Sequence, residues 1–216
     1  MAPVSEQERL QINQLVARFE NATGVEAVAA VTSKADAYPE IPWKAFALGA
    51  SVAALAAALH PTVIRIWTDV SLSALDAMLI LGSGAVLAAL AALVPAFGRL
   101  FLDRVRARGE ALQYAESMFL ARELFGTRTR RAVLVVMCRF EGLAVVLADS
   151  GLAQYAPPAE IGAIGIEAGA LMRRGDTAGA FELAFARIEA LLAGHGMVPM
   201  PRENAIDDEM LMGRSA

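Results

Sequence analysis

The sequence predicts a small α/β domain that is interrupted by a hairpin of two transmembrane helices. Three observations support this prediction. The chain opens with an amphipathic helix followed by an apolar strand. Two long uncharged segments come next, and amphipathic helices and apolar strands then resume toward the far end. At 216 residues the chain has room for one small domain together with membrane segments.

The composition is apolar and mildly acidic. Hydrophobic residues make up 56% of the chain and charged residues 19%, where about a quarter is usual for charged residues. The net charge of -4 and the absence of any long run of like charge argue against a nucleic-acid partner. A single cysteine, Cys138, excludes an internal disulfide and a multi-cysteine metal site.

The first helix is predicted from its cap and its periodicity. Ser5 is a candidate N-cap with Glu8 three positions later, and Thr23 and Gly24 provide a stop. Charged side chains within this stretch exclude a secretory signal peptide. The run "VEAVAAVTS" that follows is predicted to be a buried strand, because it is short, apolar and preceded by a glycine.

Two segments, at about residues 45–64 and 77–98, lack formal charges and are long enough to cross about 30 Å of hydrocarbon. The alternative is a pair of buried core helices. Such helices in a small domain normally keep a polar stripe, and "FALGASVAALAAAL" has none. We therefore expect the lipid bilayer to be one partner of this chain.

Several residues are expected to shape these spans. Trp43 and Trp67 are predicted interfacial anchors of the first span. His60-Pro61 is expected to end the regular part of that span, and Pro95 to kink the second without preventing insertion. Small residues should let the two helices pack closely, and they also permit a homo-oligomer. These small residues are Gly49, Ala50, Ala53, Ala54, Ala57, Gly82, Ala85 and Ala89.

The distribution of basic residues predicts the orientation. Six basic residues flank the two spans, whereas only Arg65 lies in the connecting loop. The six are Lys34, Lys44, Arg99, Arg104, Arg106 and Arg108. The positive-inside rule then places both termini and the α/β domain in the cytoplasm. The expected location is the inner (plasma) membrane of a bacterium, crossed twice.

The pattern after the spans predicts a helix, a β-hairpin and two further helices. The segment "GEALQYAESMFLARELFG" should form a helix with a core face of Leu112, Ala115, Phe119 and Leu124, closed by Gly126. Apolar runs at 132–138 and 143–148 surround Gly142, as expected for a β-hairpin. Two helices follow, the second capped by Asp176. Residues 199–216 are predicted to be a flexible tail whose Met210, Leu211 and Met212 dock onto a partner.

Three stretches together resemble the TPM domain family. They are "RLQINQLVARFENATGVEAVAAVTS", "EALQYAESMFLARELFGTRTRRAVLVVMCRFEGLAVVLADSGL" and "AEIGAIGIEAGALMRRGDTAGAFELAFARIEALLAGHG". The family's "TG.E" pattern is matched by Glu20, Thr23, Gly24 and Glu26. Its later "TR.R" and "AD.G" pattern is matched by Thr127, Arg128, Arg130, Val133, Leu134, Glu141, Val145, Val146, Ala148, Asp149 and Gly151. The resemblance covers residues 5–37 and 107–198, on both sides of the spans.

The resemblance implies an α/β sandwich, a small mixed sheet flanked by helices. Its first part would be residues 1–42 and its second part 103–198, separated by the hairpin at 43–102. Because both ends of a hairpin emerge on one side of a membrane, the two parts can still meet. Many family members carry a cleaved signal and place the domain outside the cytoplasm, and this chain departs from that arrangement.

The resemblance also implies three kinds of activity seen among family members. Some have phosphatase activity, some bind calcium or other divalent ions, and some repair or modulate membrane protein complexes. A hard cation such as Mg²⁺ or Ca²⁺ takes at least six oxygen ligands. The candidate metal ligands are Asp149, Glu26 and Asp36, of which Asp149 best matches the family motif.

Each candidate ligand also has a structural interpretation. Asp149 can bond the backbone of its own turn, Glu26 can face solvent at the start of its strand, and Asp36 can shape the loop before the first span. Glu141 is predicted at the opposite end of its strand from Asp149, which weakens a single metal site. Neither interpretation is excluded by the sequence, and no cofactor is assigned.

Other polar residues have both a functional and a structural interpretation. Arg128, Arg130 and Arg131 are candidate contacts for phosphate or anionic headgroups, or a solvated basic edge. Cys138 is predicted to be a small core residue rather than a nucleophile. His195 is expected to bond the last carbonyls of its helix.

Three functions remain open on the sequence alone. The favoured one is an accessory, assembly, repair or regulatory factor for a membrane protein complex. The sequence has few candidate catalytic residues, and its tail bears methionines that could repack against a partner. The second is a divalent-metal-dependent phosphatase at the membrane surface, which makes Asp149 essential. The third is a structural subunit held by its transmembrane helices alone. The sequence does not decide whether the chain is an enzyme.

Overall fold

The computed structural model describes residues 5–64, 73–199 and 211–213, with the backbone alone for residues 60–64, 73 and 211–213. The chain forms two compact units. The first, the α/β unit, consists of the residues up to 37 and those from 104 onward, and the second, the helical unit, consists of residues 38–103. The sequence placed these boundaries at 42/43 and 102/103.

The helices and strands follow one another in the order α1 (Glu6–Thr23), β1 (Glu26–Thr32), α2 (Glu40–Ile64), α3 (Ser73–Leu93), α4 (Pro95–Gly98), α5 (Arg104–Ala121), β2 (Ala132–Cys138), β3 (Leu143–Ala148), α6 (Pro158–Arg173), α7 (Thr177–Gly194) and β4 (Leu211–Gly213).

The predicted cap of α1 is confirmed. Ser5 Oγ accepts a bond from the Glu8 N–H, and Glu8 Oε2 accepts one from the Ser5 N–H at 2.8 Å. Gly24 ends α1 in the left-handed conformation, with φ 69°.

The sheet is mixed and has the order β3-β2-β1-β4. The strands β1 and β2 are parallel, with Glu26 opposite Ala132. The strands β2 and β3 form the predicted antiparallel hairpin, which turns at Gly142 with φ 63°. The short β4 lies parallel to β1 with Leu211 opposite Ala30, so part of the predicted tail extends the sheet. The mixed α/β class is therefore confirmed.

Helices cover both faces of the sheet. Along β1, Ala27, Ala29 and Val31 face α1, α6 and α7, whereas Val28 and Ala30 face α5. Every residue of β1 and β2 is buried. Burial on both faces explains why these strands are continuous apolar runs rather than alternating ones.

Helix α5 packs through part of the predicted face, since Ala115 is buried and Phe119 packs against the same cluster, but Leu112 does not belong to it. Its buried residues are Ala107, Ala111 and Ala115, whereas Leu112 is 42% exposed. The small alanines allow α5 to lie close to the sheet. The helix ends at Ala121, and the predicted stop at Gly126 instead closes a separate turn of 3₁₀-helix.

The ends of the two apolar helices differ from the predictions. Helix α2 continues past His60-Pro61 to Ile64. Helix α3 ends at Leu93 rather than near residue 98, and Pro95 is the first residue of α4. Proline has no N–H to donate, and the first helical position needs none, so the chain restarts a helix there instead of kinking one.

Glycines bring α2 and α3 together. A Cβ at Gly49 would lie 2.7 Å from the Ser83 carbonyl oxygen, and a Cβ at Gly84 would lie 2.8 Å from the Phe46 ring. Gly82, predicted to lie at this contact, faces open space. The close approach at Gly49 and Gly84 is the helix packing expected where small residues let backbones meet.

Candidate functional site

The two pieces of the motif "TR.R" and "AD.G" meet at one edge of the sheet. Asp149 follows β3, and its side chain is only 3% exposed. Its Oδ1 accepts bonds from Arg130 Nη2 at 2.9 Å and Nε at 3.2 Å. It also accepts from the Ser150 N–H at 2.6 Å and Ser150 Oγ at 3.2 Å. Asp149 thus bonds its own turn, as its structural interpretation predicted, and adds an ion pair that the sequence analysis missed.

Gly151 is required by the same turn. Its N–H donates to the Arg130 carbonyl oxygen at 2.9 Å, and a Cβ there would collide with the carbonyl oxygens of Thr129 and Arg130. Arg130 has a φ of 55°, a left-handed conformation that is unusual for arginine. The backbone and the side chain of Arg130 therefore both hold the segment after β3 against the segment before β2.

Glu26 and Asp149 lie at the same end of the sheet, on either side of β2. Glu26 is paired with Ala132, and the Asp149 N–H donates to the Ala132 carbonyl oxygen. Two strand spacings separate them, which is about 10 Å between Cα atoms. Glu26 is 4% exposed, so the expectation that it faces solvent is wrong.

Asp36 lies at the other end of the sheet. It follows β1, and its Oδ2 pairs with Arg106 Nη2 on α5 at 2.9 Å. Nearby, Glu141 Oε1 accepts a bond from the Ala35 N–H at 2.9 Å, which ties the β2–β3 turn to this loop. Glu141 and Asp149 are at opposite ends of β3, as predicted.

The three candidate ligands are therefore not brought together. Within residues 5–64, 73–199 and 211–213, no three His, Cys, Asp or Glu side chains form a group suited to a metal ion. Asp149 Oδ2 is buried and accepts no hydrogen bond from the residues that the structure describes. The positive charge of Arg130 on the same carboxylate opposes binding of a divalent cation.

The basic cluster is largely occupied by contacts within the domain. Arg130 pairs with Asp149 and lies 5.9 Å from the centre of the Phe125 ring. Arg131 lies 5.7 Å from the centre of the Tyr155 ring. Arg128 is exposed. To meet an anion, Arg130 would have to leave Asp149.

Cys138 and His195 have structural roles. Cys138 is fully buried, and its burial, followed by the nearby charge of Glu141, raises the pKa of its thiol far above the usual range. This confirms the core interpretation, because a reactive thiol needs a lowered pKa. His195 is the C-cap of α7 and bonds its last carbonyls, as expected, and its ring contacts Glu160 Oε1 at 3.2 Å. Its backbone N–H donates to the Leu191 carbonyl oxygen.

The side chains of α2 and α3 are mostly exposed although they are apolar. Two windows, Glu40–Leu59 and Ala74–Leu93, are long and apolar enough to cross a membrane. Only 17% and 11% of these windows are buried. Trp43 is 71% exposed, as an interfacial anchor would be, whereas Trp67 lies outside the described residues.

A groove of about 690 Å³ runs along the outer edge of β3, between α5 and α6. Residues 143–148 form its floor. Gly165 and Gly169 bring α6 close to β3, since a Cβ at Gly165 would lie 2.9 Å from the Ala144 carbonyl oxygen. The sequence analysis missed this groove, although the spacing of Gly165 and Gly169 along one helix is a signal of close approach.

A comparison with models of known protein families finds no match, and one with curated proteins finds none either. Among solved structures, the chain is similar to the NMR structure of the BA42 protein from the psychrophilic bacterium Bizionia argentinensis. The TM-score is 0.55 at 8% identity, and the match covers 98% of this chain and 97% of that one. At this identity the likeness concerns the fold alone, and the fold that this chain shares is a mixed α/β one.

Proposed function

We propose that this chain is a membrane-anchored, TPM-like accessory protein that assists the assembly, repair or regulation of a membrane protein complex. The observation that carries the proposal is the exposure of α2 and α3. Large apolar side chains point outward along both helices, among them Leu48, Val52, Leu55, Met78 and Leu81. Each such side chain left in water forgoes about 1.5–3 kcal/mol of burial free energy, and a bilayer would supply that burial.

The alternative of buried core helices has less support from this geometry. A core helix hides its apolar side chains inside the protein, whereas only 17% and 11% of the apolar windows of α2 and α3 are buried. We therefore place the chain in the inner membrane, with α2 and α3 as its two spans. The flanking basic residues support cytoplasmic termini and a cytoplasmic α/β unit.

The motif geometry supports the TPM-like assignment. The motif positions Arg130, Asp149 and Gly151 form one connected turn, so a resemblance in sequence corresponds to one structural element. The fold likeness to the BA42 protein supports a mixed α/β unit of this kind.

The first test is purification of the tagged full-length protein in nanodiscs, followed by identification of co-purifying proteins and an assay of divalent-dependent phosphatase activity. A stoichiometric membrane protein partner without activity is the expected result. Hydrolysis that needs Mg²⁺ or Ca²⁺ and is lost in Asp149→Asn would contradict the proposal and support an enzyme.

A deletion separates the accessory function from a purely structural one. Removing residues 110–216 takes away most of the α/β unit and leaves α2 and α3. We expect the partner to be lost from the pull-down. Full recovery of the partner by the truncated chain would mean that the transmembrane helices alone hold the complex.

A further inference from the structure

We propose that the groove along β3 binds an extended, apolar segment of a partner protein that carries acidic groups at one end. The segment would add a strand to the sheet. This inference rests on the proposed accessory function, for which it specifies the chemistry of the partner.

The first support is the hydrogen-bonding direction of β3. The strand is the last in the sheet order, so its outer side has no strand beside it in the part of the chain that the structure describes. The Asp149 N–H donates to the Ala132 carbonyl oxygen, and antiparallel pairs alternate between bonded and non-bonded positions. Ala144, Val146 and Ala148 therefore turn their N–H and C=O groups away from β2. Gly165 and Gly169 of α6 lie against those of Ala144, so strand addition would use Val146 and Ala148. An exposed edge of this kind is a template for strand addition.

The second support is the charge of the groove. Its lining includes the exposed side chains of Arg104, Arg108 and Arg173 and no acidic residue. No described carboxylate forms an ion pair with any of the three. A segment with carboxylates would neutralise these arginines, whereas a basic segment would be repelled.

The three arginines lie at the same end of the groove, where β3 begins. Arg173 Nη1 donates to the Gly142 carbonyl oxygen at 3.4 Å, just before the first residue of β3. The first turn of α5, which carries Arg104 and Arg108, is held at this end by the ion pair of Arg106 with Asp36. The carboxylates of the segment would thus lie beside Leu143.

The other end of the groove is apolar. Pro158, Ile161 and Gly162 line it on α6, and Ala148 lies at the end of its floor. A Cβ at Gly162 would meet nothing within 4 Å, which leaves room for a side chain of the bound segment. The groove therefore has a direction, with the acidic end of its occupant at Leu143 and the apolar end at Ala148.

The described part of the chain's own tail lies away from the groove. Residues 211–213 pair with β1, at the opposite edge of the sheet from β3. We therefore assign the groove to a segment from another protein.

The test uses the full-length protein in phosphatidylcholine nanodiscs and two fluorescent heptapeptides, TVIVTDD and its basic analogue TVIVTKK. We expect saturable binding of the acidic peptide by fluorescence anisotropy and much weaker binding of the basic one. Arg173→Glu should weaken binding by about tenfold or more. Its matched control, Arg174→Glu, changes the neighbouring exposed arginine, which does not line the groove, and should leave binding within about twofold.

A backbone variant tests strand addition separately. Ala148→Pro removes an N–H that faces the groove and not β2, so the sheet should persist, as circular dichroism can check, while peptide binding falls. If this variant does not fold, the comparison of Arg173→Glu with Arg174→Glu still tests whether the groove binds the acidic peptide.

Four outcomes would overturn the proposal. They are no saturable binding, equal binding of the two peptides, equal loss in both arginine variants, and loss of peptide binding in nanodiscs that contain phosphatidylglycerol. The last would assign the arginines to lipid headgroups. If the peptide does not bind but the pull-down recovers a partner, only the proposal for the groove is refuted. If the peptide binds but the pull-down recovers no partner, only the accessory function is refuted.

Discussion

Replacing Arg130 with alanine tests how much the ion pair at the edge of the sheet stabilises the α/β unit. The Asp149 side chain is 3% exposed and the Arg130 side chain 48%. Without the guanidinium, the carboxylate stays buried and keeps only its bonds to Ser150. Removing one partner of a fully buried pair costs about 3–5 kcal/mol. Because water already reaches half of Arg130, we expect a smaller loss of about 2 kcal/mol in unfolding free energy.

Hydrogen exchange followed by mass spectrometry measures this loss in the full-length protein. A loss of about 2 kcal/mol accelerates exchange of the β2 and β3 amides about 30-fold when they exchange by unfolding of the unit. Arg122→Ala is the control, since Arg122 is exposed and forms no ion pair with the described residues. Unchanged exchange in Arg130→Ala would refute the argument.

The double variant isolates the pair itself. Asp149→Asn keeps the shape of the side chain and removes its charge, so it should also destabilise the unit. The double variant should be more stable than the sum of the two single losses predicts, with a coupling of about 1 kcal/mol or more. Additive losses would mean that the two residues act independently.

Three further predictions concern other parts of the chain. Gly49→Leu should destabilise the packing of α2 on α3 by about 1–3 kcal/mol in detergent unfolding, whereas Gly82→Leu, where a Cβ meets nothing, should not; equal effects would contradict the observed contact. Alkylation of Cys138 by iodoacetamide at pH 8 should be at least about 100-fold slower in the native protein than in denaturant, since burial raises the pKa of its thiol, and rapid native alkylation would contradict this. The Ser5 N–H and hydroxyl lower the pKa of Glu8 below 4.5, so their contribution is complete above pH 4.5 and is lost as pH falls through the folded-state pKa. Ser5→Ala should raise that pKa in an NMR titration, and an unchanged titration would argue against the cap.

Elements with a strong local signal were predictable from the sequence. The cap at Ser5, the stop at Gly24 and the hairpin at Gly142 each depend on residues within a few positions of one another. On α5, Ala115 was predicted correctly, but the choice between Ala111 and Leu112 was not predictable in the same way, because both are apolar and only the depth of the sheet surface selects the smaller one.

The candidate site was predicted only in part. Asp149 was identified, but its partner Arg130 is 19 positions away, and the two were given separate roles. Whether a carboxylate meets a cation or an arginine depends on strand register, which the sequence does not specify. The groove along β3 was missed for the same reason, since it exists only once α5 and α6 stand on either side of the strand.

The division of the α/β unit into two separate stretches of sequence constrains how the protein is made. Ala35 and Glu141, which bond to each other in the folded domain, are 106 positions apart. At about 5–20 residues per second, the ribosome needs roughly 5–20 s to pass from one to the other. During that time β1 has been synthesised without β2 beside it, while α2 and α3 leave the ribosome. The nascent chain must therefore keep an apolar strand from aggregating until β2 is synthesised, which makes early shielding of β1 a requirement of biogenesis.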